Sequence, residues 1–235
     1  MASRLIVAAI LLVPVTMRAG CSRDVDASVA EFTFRDGSRV DAILALGKQL
    51  NMCFGLRNLP RKAFLQPVAF EFQEKSAIEI VQEIFRGQDV QITQSPDGLI
   101  KVFRPSKVNS LFDHPISSFE VGRTTLQTLS VGIRIRLERE LSPEIQGVAG
   151  SYSSGDQTDI VGPFHETDRT VSQLLDLIVS HSKGASWLAL VPDSAAVASP
   201  PQNMWIVIQY NRPMTDYKAL VAAAGAKFPD SDDSE

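Results

Sequence analysis

Two helix-start motifs, 94 residues apart, constrain the fold of this 235-residue chain more than any other feature of its sequence. Ser76 and Glu79 form a capping box ahead of an apolar helical stripe, and Thr170 and Gln173 form another ahead of a second stripe. In both places a glycine ends the helix and two short apolar segments follow. This recurrence predicts an internal repeat.

The first copy, residues 31–105, is predicted to have the order β-α-β-β-α-β-β. Its helices begin at Ser38 and Ser76, and residues 60–67 are expected to form a loop. Ser95-Pro96-Asp97-Gly98, between the last two strands, is a strong hairpin signal. The strands are predicted at 31–34, 52–56, 68–72, 90–92 and 99–103.

The second copy, residues 106–213, repeats this order, with its second helix capped by Thr170. Its first helix follows Thr124 or Thr125 and is ambiguous, because residues 131–137 also alternate with period two. The cap and the place in the repeat favour a helix. The fold class is therefore predicted as α+β, with two tandem small modules, each with two helices packed on short sheets. Strands are predicted at 116–121, 147–152, 159–164, 185–191 and 204–210.

The N-terminus predicts export. The apolar run Leu5–Val15 is too short to cross a bilayer and suits the core of a signal peptide, here residues 1–20. Ala19 and Gly20 precede Cys21 and resemble a bacterial lipobox, from which Arg18 departs. Cys21 is thus a lipidation candidate, and the protein is expected in the periplasm or at the outer membrane. The alternatives to export are a signal anchor or a misassigned start codon.

The second cysteine leaves two states open for Cys21. Cys53 lies in an apolar run, which favours a buried structural thiol. If Cys21 is not lipidated, the two cysteines can form a disulfide in an oxidising periplasm.

Two segments, 21–30 and 214–235, are predicted to lie outside the two copies, and the net charge argues against one class of partner. Residues 21–30 are expected to form a linker, and 214–235 a tail, with a loose helix at 217–226 and an acidic, disordered end. Without Arg4 and Arg18, the 23 basic residues become 21 against 27 acidic ones, a net charge of −6. This balance argues against a nucleic-acid partner.

No catalytic constellation stands out in the sequence. His165, Glu166 and Asp168 lie together, but no histidine pair has metal-ligand spacing, and a solvated strand-to-helix corner explains them. We expect no catalytic residue, metal or cofactor. The alternative functions are a small hydrolase or metal-dependent enzyme that uses this corner, and a periplasmic protein that binds a small ligand between the two copies.

Three segments of the first copy resemble the short N-terminal domain shared by secretins and TonB-dependent receptors: Phe32–Gly37, Val68–Gly87 and Val90–Phe103. The second copy, 116–210, is more weakly similar, best over 164–184. The resemblance implies a small α/β module that docks other envelope proteins by strand addition or lateral packing.

The predicted function is a non-catalytic interaction module whose partners are envelope proteins, with a membrane tether if Cys21 is lipidated. A small-molecule ligand is not expected. Exposed strand edges are the expected binding elements. Arg57, Arg61 and Lys62 are candidate rim contacts. Trp187 and Trp205 are expected to pair across the last hairpin, in the core or, if exposed, on a docking face.

Overall fold

In the described part of the first half of the chain there are five strands and three helices. The computed structural model describes residues 20–22, 24–95, 98–105, 112–141, 145–151, 160–190 and 202–211, so the predicted signal segment and tail lie outside it, apart from Gly20. In chain order the elements are β1 (Ser28–Phe34), α1 (Arg39–Leu50), β2 (Phe54–Arg57), α2 (Arg61–Leu65), β3 (Phe70–Ser76), α3 (Ala77–Ile84), β4 (Gln91–Gln94) and β5 (Ile100–Phe103).

The second half follows a similar order. Its elements are β6 (Pro115–Val121), β7 (Thr124–Thr125), α4 (Leu126–Glu140), β8 (Ile145–Ser151), β9 (Ile160–Val161), β10 (Phe164–Thr170), α5 (Val171–Ser180), β11 (Ala185–Leu190) and β12 (Gln202–Tyr210). The predicted fold class, α+β, is confirmed. Among the described residues, no helix is long and apolar enough to cross a membrane.

The longer strands pair in corresponding ways in both halves, and the second half has in addition the short antiparallel pair β7–β9. β1 pairs antiparallel with β3, and β6 pairs antiparallel with β10. In the first half β5 lies between an antiparallel neighbour, β4, and a parallel one, β2. In the second half β12 lies in the same way between β11 and β8.

The two three-stranded units join into one sheet. β2 pairs in parallel with β11, with Gly55 opposite Trp187 and Leu56 opposite Leu188. The result is a six-stranded sheet in the order β4-β5-β2-β11-β12-β8. The halves therefore share a sheet, whereas the sequence suggested separate short sheets.

Each half covers one face of this sheet. Side chains alternate between the faces of a strand, so neighbouring residues of β11 contribute to different cores. Leu188 and Leu190 pack with α1 and α3 of the first half. Trp187 and Ala189 pack with α4 and α5 of the second. All six residues of β11 are consequently buried.

Local capping sets the helix starts. The boxes Ser76–Glu79 and Thr170–Gln173 are both present as predicted, and Ser38 forms a third with Asp41. The ambiguous segment is a helix, α4, capped by Thr125. Its buried residues are Leu126, Leu129, Ile133 and Leu137, while Val131 and Ile135 are exposed, which is a helical pattern of burial.

Three predicted segments are wrong in detail. Residues 28–30, predicted to belong to the N-terminal linker, are part of β1. The loop predicted at 60–67 contains α2, a short helix that begins directly after Pro60, a residue whose fixed φ suits a helix start. The strand predicted at 159–164 is interrupted at Gly162-Pro163, and a separate strand, β10, runs from Phe164 to Thr170. Pro163 lacks the backbone N–H that a continuous ladder requires.

Candidate interaction surfaces

The outer edge of β4 ends the six-stranded sheet within the described part of the chain. Ser95 donates its backbone N–H to the Leu99 carbonyl, 2.8 Å away, across the antiparallel pair with β5. Hydrogen-bonded pairs alternate along such a ladder, so Gln91 and Thr93 also bond to β5. The backbone N–H and C=O groups of Ile92 and Gln94 therefore point away from the sheet.

The composition of β4 leaves this edge open to a partner strand. Natural edge strands are commonly protected by lysine, proline, a bulge or short length. β4 has four residues, Gln-Ile-Thr-Gln, with no charge, no proline and an unbroken register to β5. Ile92 packs against the first core, and the other three side chains are exposed. Length is the only one of these protections that β4 has.

An ion pair lies beside the first residue of β4. Arg104 Nε is 3.3 Å from Asp89 Oδ2, and the Asp89 side chain is 77% exposed. A pair this exposed adds little stability. It places a charged rim next to the neutral edge.

Of the predicted rim residues, Arg57 lies in the join between the halves, where its side chain is mostly buried. Its guanidinium lies 4.7 Å from the ring centroid of Phe103 and 5.1 Å from that of Phe112, and 4.0 Å from Asp113 Oδ1. Burial lowers the pKa of Arg57, and the carboxylates of Asp113 and Asp176 oppose this shift. Arg57 therefore acts first as a packing residue.

Arg61 and Lys62 remain on the surface. Both lie in the first turn of α2 with exposed side chains. Their exposure leaves them as candidate rim contacts, whereas the Arg57 side chain is mostly covered.

Trp187 lies in the core and not on a docking face. Its side chain is 1% exposed and stacks on Phe112 at a centroid distance of 6.3 Å. It stands opposite Ile208, and Trp205 stands opposite Leu190, so the two tryptophans are not cross-strand partners. The prediction that Trp187 and Trp205 pair across the hairpin is therefore wrong. The side chain of Trp205 lies outside the described part of the structure.

A buried polar cluster connects the halves beneath Trp187. Asp176, 2% exposed, accepts a 2.9 Å hydrogen bond from Trp187 Nε1. Its other carboxylate oxygen is 2.6 Å from Nζ of Lys101, which also reaches Ser172 Oγ at 3.3 Å. Sequence reasoning missed this cluster. The signal was present: Ser172 and Asp176 are four residues apart on the apolar face of α5.

A second buried network connects the halves near the start of β2. Ser186 Oγ accepts the Phe54 N–H at 2.9 Å and donates to Asn211 Oδ1 at 2.5 Å. Asn211 Nδ2 donates to the Met52 carbonyl. Each of these buried groups therefore has a partner from the opposite half.

Cys21 and Cys53 form a disulfide, with their Cα atoms 5.5 Å apart. Around it, Ser22 donates its N–H to the Asn51 carbonyl, and Asn51 Nδ2 donates to the Gly20 carbonyl. Of the two states that the sequence left open for Cys21, the structure has the disulfide. A sulfur in this bond is not available for a lipid.

The His165 corner is exposed, and His165 and Glu166 pair with different residues. His165 Nδ1 is 3.4 Å from Glu120 Oε1 on the neighbouring strand, with side chains 64% and 75% exposed. Glu166 instead pairs with Arg169 at 2.8 Å. Asp168 has a left-handed backbone, with φ of 52°. Within the described ranges no group of three His, Cys, Asp or Glu residues is arranged to hold a metal ion.

Comparison of the chain with protein families, with curated proteins and with solved structures finds no match. The candidate surfaces therefore rest on the geometry of the chain itself.

Proposed function

We propose that this protein is an exported, non-catalytic interaction protein of the bacterial cell envelope that docks partner proteins by strand addition at β4. The observation that carries the proposal is the outer edge of β4, where Ile92 and Gln94 present their backbone groups on a neutral strand. An extended segment of another protein recognises such an edge through main-chain hydrogen bonds.

The size of the edge favours a modest affinity. Two residues present two donors and two acceptors, and each hydrogen bond contributes about 1 kcal/mol net. Four such bonds are too few for tight binding, because association itself costs several kcal/mol. Side chains beside the edge supply the rest, and the exposed Asp89 next to β4 is placed to select a partner's charge.

The disulfide supports export. Disulfides persist in oxidising compartments such as the bacterial periplasm and are rare in the cytosol. Export is therefore supported by two features, the apolar N-terminal segment and the Cys21–Cys53 bond. In this proposal the mature protein is held by its partners, and lipidation of Cys21 is the competing state. The resemblance to secretin and TonB-receptor domains favours partners in the envelope.

Removing one backbone donor at the edge tests the proposal. Gln94→Pro deletes an outward N–H, a change that edge strands tolerate, and Gln94→Thr is the matched control that keeps it. Each tagged full-length chain is crosslinked in intact envelopes and its partners are identified by mass spectrometry. We expect Gln94→Thr to retain the wild-type partners and Gln94→Pro to lose them. Equal capture by both variants would contradict docking at β4.

A further inference from the structure

We infer that the partner at β4 includes a second copy of this chain, whose β8 strand adds in parallel to β4, so that molecules associate head to tail. This inference rests on the proposed function, because it requires that β4 accepts a strand.

The molecule already contains one such junction. Inside the chain, β2 of the first half pairs in parallel with β11 of the second. β2 is the parallel neighbour of β5, and β8 is the parallel neighbour of β12, so β2 and β8 hold the same place in their halves. By the same comparison β11 corresponds to β4. The end strands of the sheet are therefore the two types of strand that meet at its centre.

The backbone groups of β4 match those of β11 at the junction. Asn58 donates its N–H to the Ala189 carbonyl at 3.0 Å, which shows that Ala189 faces β2. The alternation along β11 gives Trp187 the same orientation. Ile92 and Gln94 of β4 likewise face away from their own hairpin partner. The donors and acceptors that β11 offers to β2 are thus turned outward by β4, where no described strand pairs with them.

Within the described residues β8 ends the sheet on the side opposite to β4, and its outer edge presents the complementary groups. Asn211 donates its N–H to the Gly184 carbonyl at 2.8 Å, across the antiparallel pair of β12 with β11. Because hydrogen-bonded residues alternate along this pair, the backbone groups of residues 205, 207 and 209 bond to β11. The backbone groups of residues 206 and 208 therefore face β8. Ile206 stands opposite Gly150 in the parallel register. In a parallel ladder it bonds to the residues flanking Gly150. Val148 and Gly150 therefore turn their backbone groups outward, as Phe54 does where it meets Ser186 Oγ.

The symmetry of this contact has a consequence for assembly. A β8 edge that binds a β4 edge uses two different surfaces, so in a pair one molecule keeps an unused β4 edge and the other keeps an unused β8 edge. Heterologous contacts of this kind generate rings when the rotation closes and filaments when it does not. We expect the wild-type chain to form species larger than dimers as its concentration rises.

Complementary edge variants test the inference with sedimentation velocity on the full-length chain. Gln94→Pro blocks β4 and leaves β8, while Gly150→Pro blocks β8 and leaves β4; Val148→Pro replaces the latter if circular dichroism shows that it does not fold. We expect each variant alone to be monomeric and their equimolar mixture to form a dimer that grows no further. Gln94→Thr should associate like the wild type.

Three results would overturn the inference: a monomeric wild type throughout its soluble range, association of Gln94→Pro alone, or no dimer in the mixture. Its failure is separable from that of the proposed function. A monomeric wild type whose envelope partners are lost on Gln94→Pro would refute self-association and leave docking at β4 in place. Capture of the same partners by Gln94→Pro and Gln94→Thr would refute docking itself.

Discussion

Gly55 of β2 lies directly opposite Trp187 of β11, and a Cβ atom on Gly55 would lie 2.6 Å from Cζ2 of the indole ring. The contact lies at the centre of the six-stranded sheet, where the two halves meet. Only a residue without a side chain lets the buried ring cross the neighbouring strand here.

We predict that Gly55→Ala destabilises the protein by about 1–3 kcal/mol, the usual cost of overpacking a core. Trp187 is held by Asp176 and Phe112 and cannot withdraw easily. Gly132→Ala on α4 is the matched control, since a Cβ there meets no atom within 4 Å and alanine is the better helix former. Urea unfolding monitored by circular dichroism measures both. Equal stability of the two variants would contradict the tight contact.

The ion pair between Lys101 and Asp176 gives an asymmetric prediction. Lys101→Met leaves a carboxylate whose side chain is 3% exposed, whereas Asp176→Asn leaves an ammonium whose side chain is 22% exposed. The first variant should lose about 3 kcal/mol and the second clearly less, because the lysine reaches water. The double variant should lose less than the sum of the single losses. Additive losses, measured by urea unfolding, would mean that the two residues do not interact.

We predict that Cys21 and Cys53 are bonded to each other in the mature chain. Cys21 and Cys53 are 32 residues apart, and closing a loop of that size stabilises a fold by about 3–4 kcal/mol in the chain-entropy account. Cys21→Ala and Cys53→Ala should each lose most of this, and the double variant should lose little more. Mass spectrometry of the non-reduced protein should show no free thiol. A lipid on Cys21 would refute the disulfide state and favour the membrane tether.

The capping boxes at Ser76 and Thr170 predict different responses to acid. Hydrogen bonds from the Ser76 backbone N–H and hydroxyl lower the pKa of Glu79 below its ordinary 4.5. A lowered pKa stabilises the fold above the pKa of the unfolded chain, and that stability disappears as the pH falls through the folded value. Gln173 holds the equivalent place in the second box and does not titrate.

We therefore expect Glu79→Gln to remove part of the stability loss below pH 4.5. Gln173→Glu should add a loss in the same range, which makes it the matched opposite change. Urea midpoints at about pH 6 and about pH 3 measure both. If neither substitution alters the difference between the two midpoints, the boxes do not contribute to acid sensitivity.

Sequence reasoning succeeded where the determining contacts are local. The boxes at Ser76 and Thr170 fixed two helix starts, because a capping residue and its partner are three positions apart. The α4 helix was harder, since its buried residues Ile133 and Leu137 also fit an alternating strand. The capping residue Thr125 was the local feature that favoured a helix, and the segment is a helix.

The join between the halves could not be predicted, because it depends on contacts more than 100 residues apart in sequence. Periodicity shows that β11 is apolar and does not show which strand lies beside it. The apolar run Trp187–Leu190 in β11 was a signal of burial on both faces. Periodicity likewise does not show that the cation beside Asp176 comes from β5 of the other half, or that the backbone groups of Ile92 and Gln94 face away from β5.

Amide hydrogen exchange at β4 tests the central claim most directly. Exchange is measured on the purified chain alone and on the same chain with a bound partner. The partner is a protein that the Gln94→Thr variant captures from envelopes and the Gln94→Pro variant does not. Binding by strand addition should slow exchange at the outward amides of Ile92 and Gln94, while Thr93, already bonded to β5, should change little. A bound partner that leaves Ile92 and Gln94 unprotected would contradict docking at this edge.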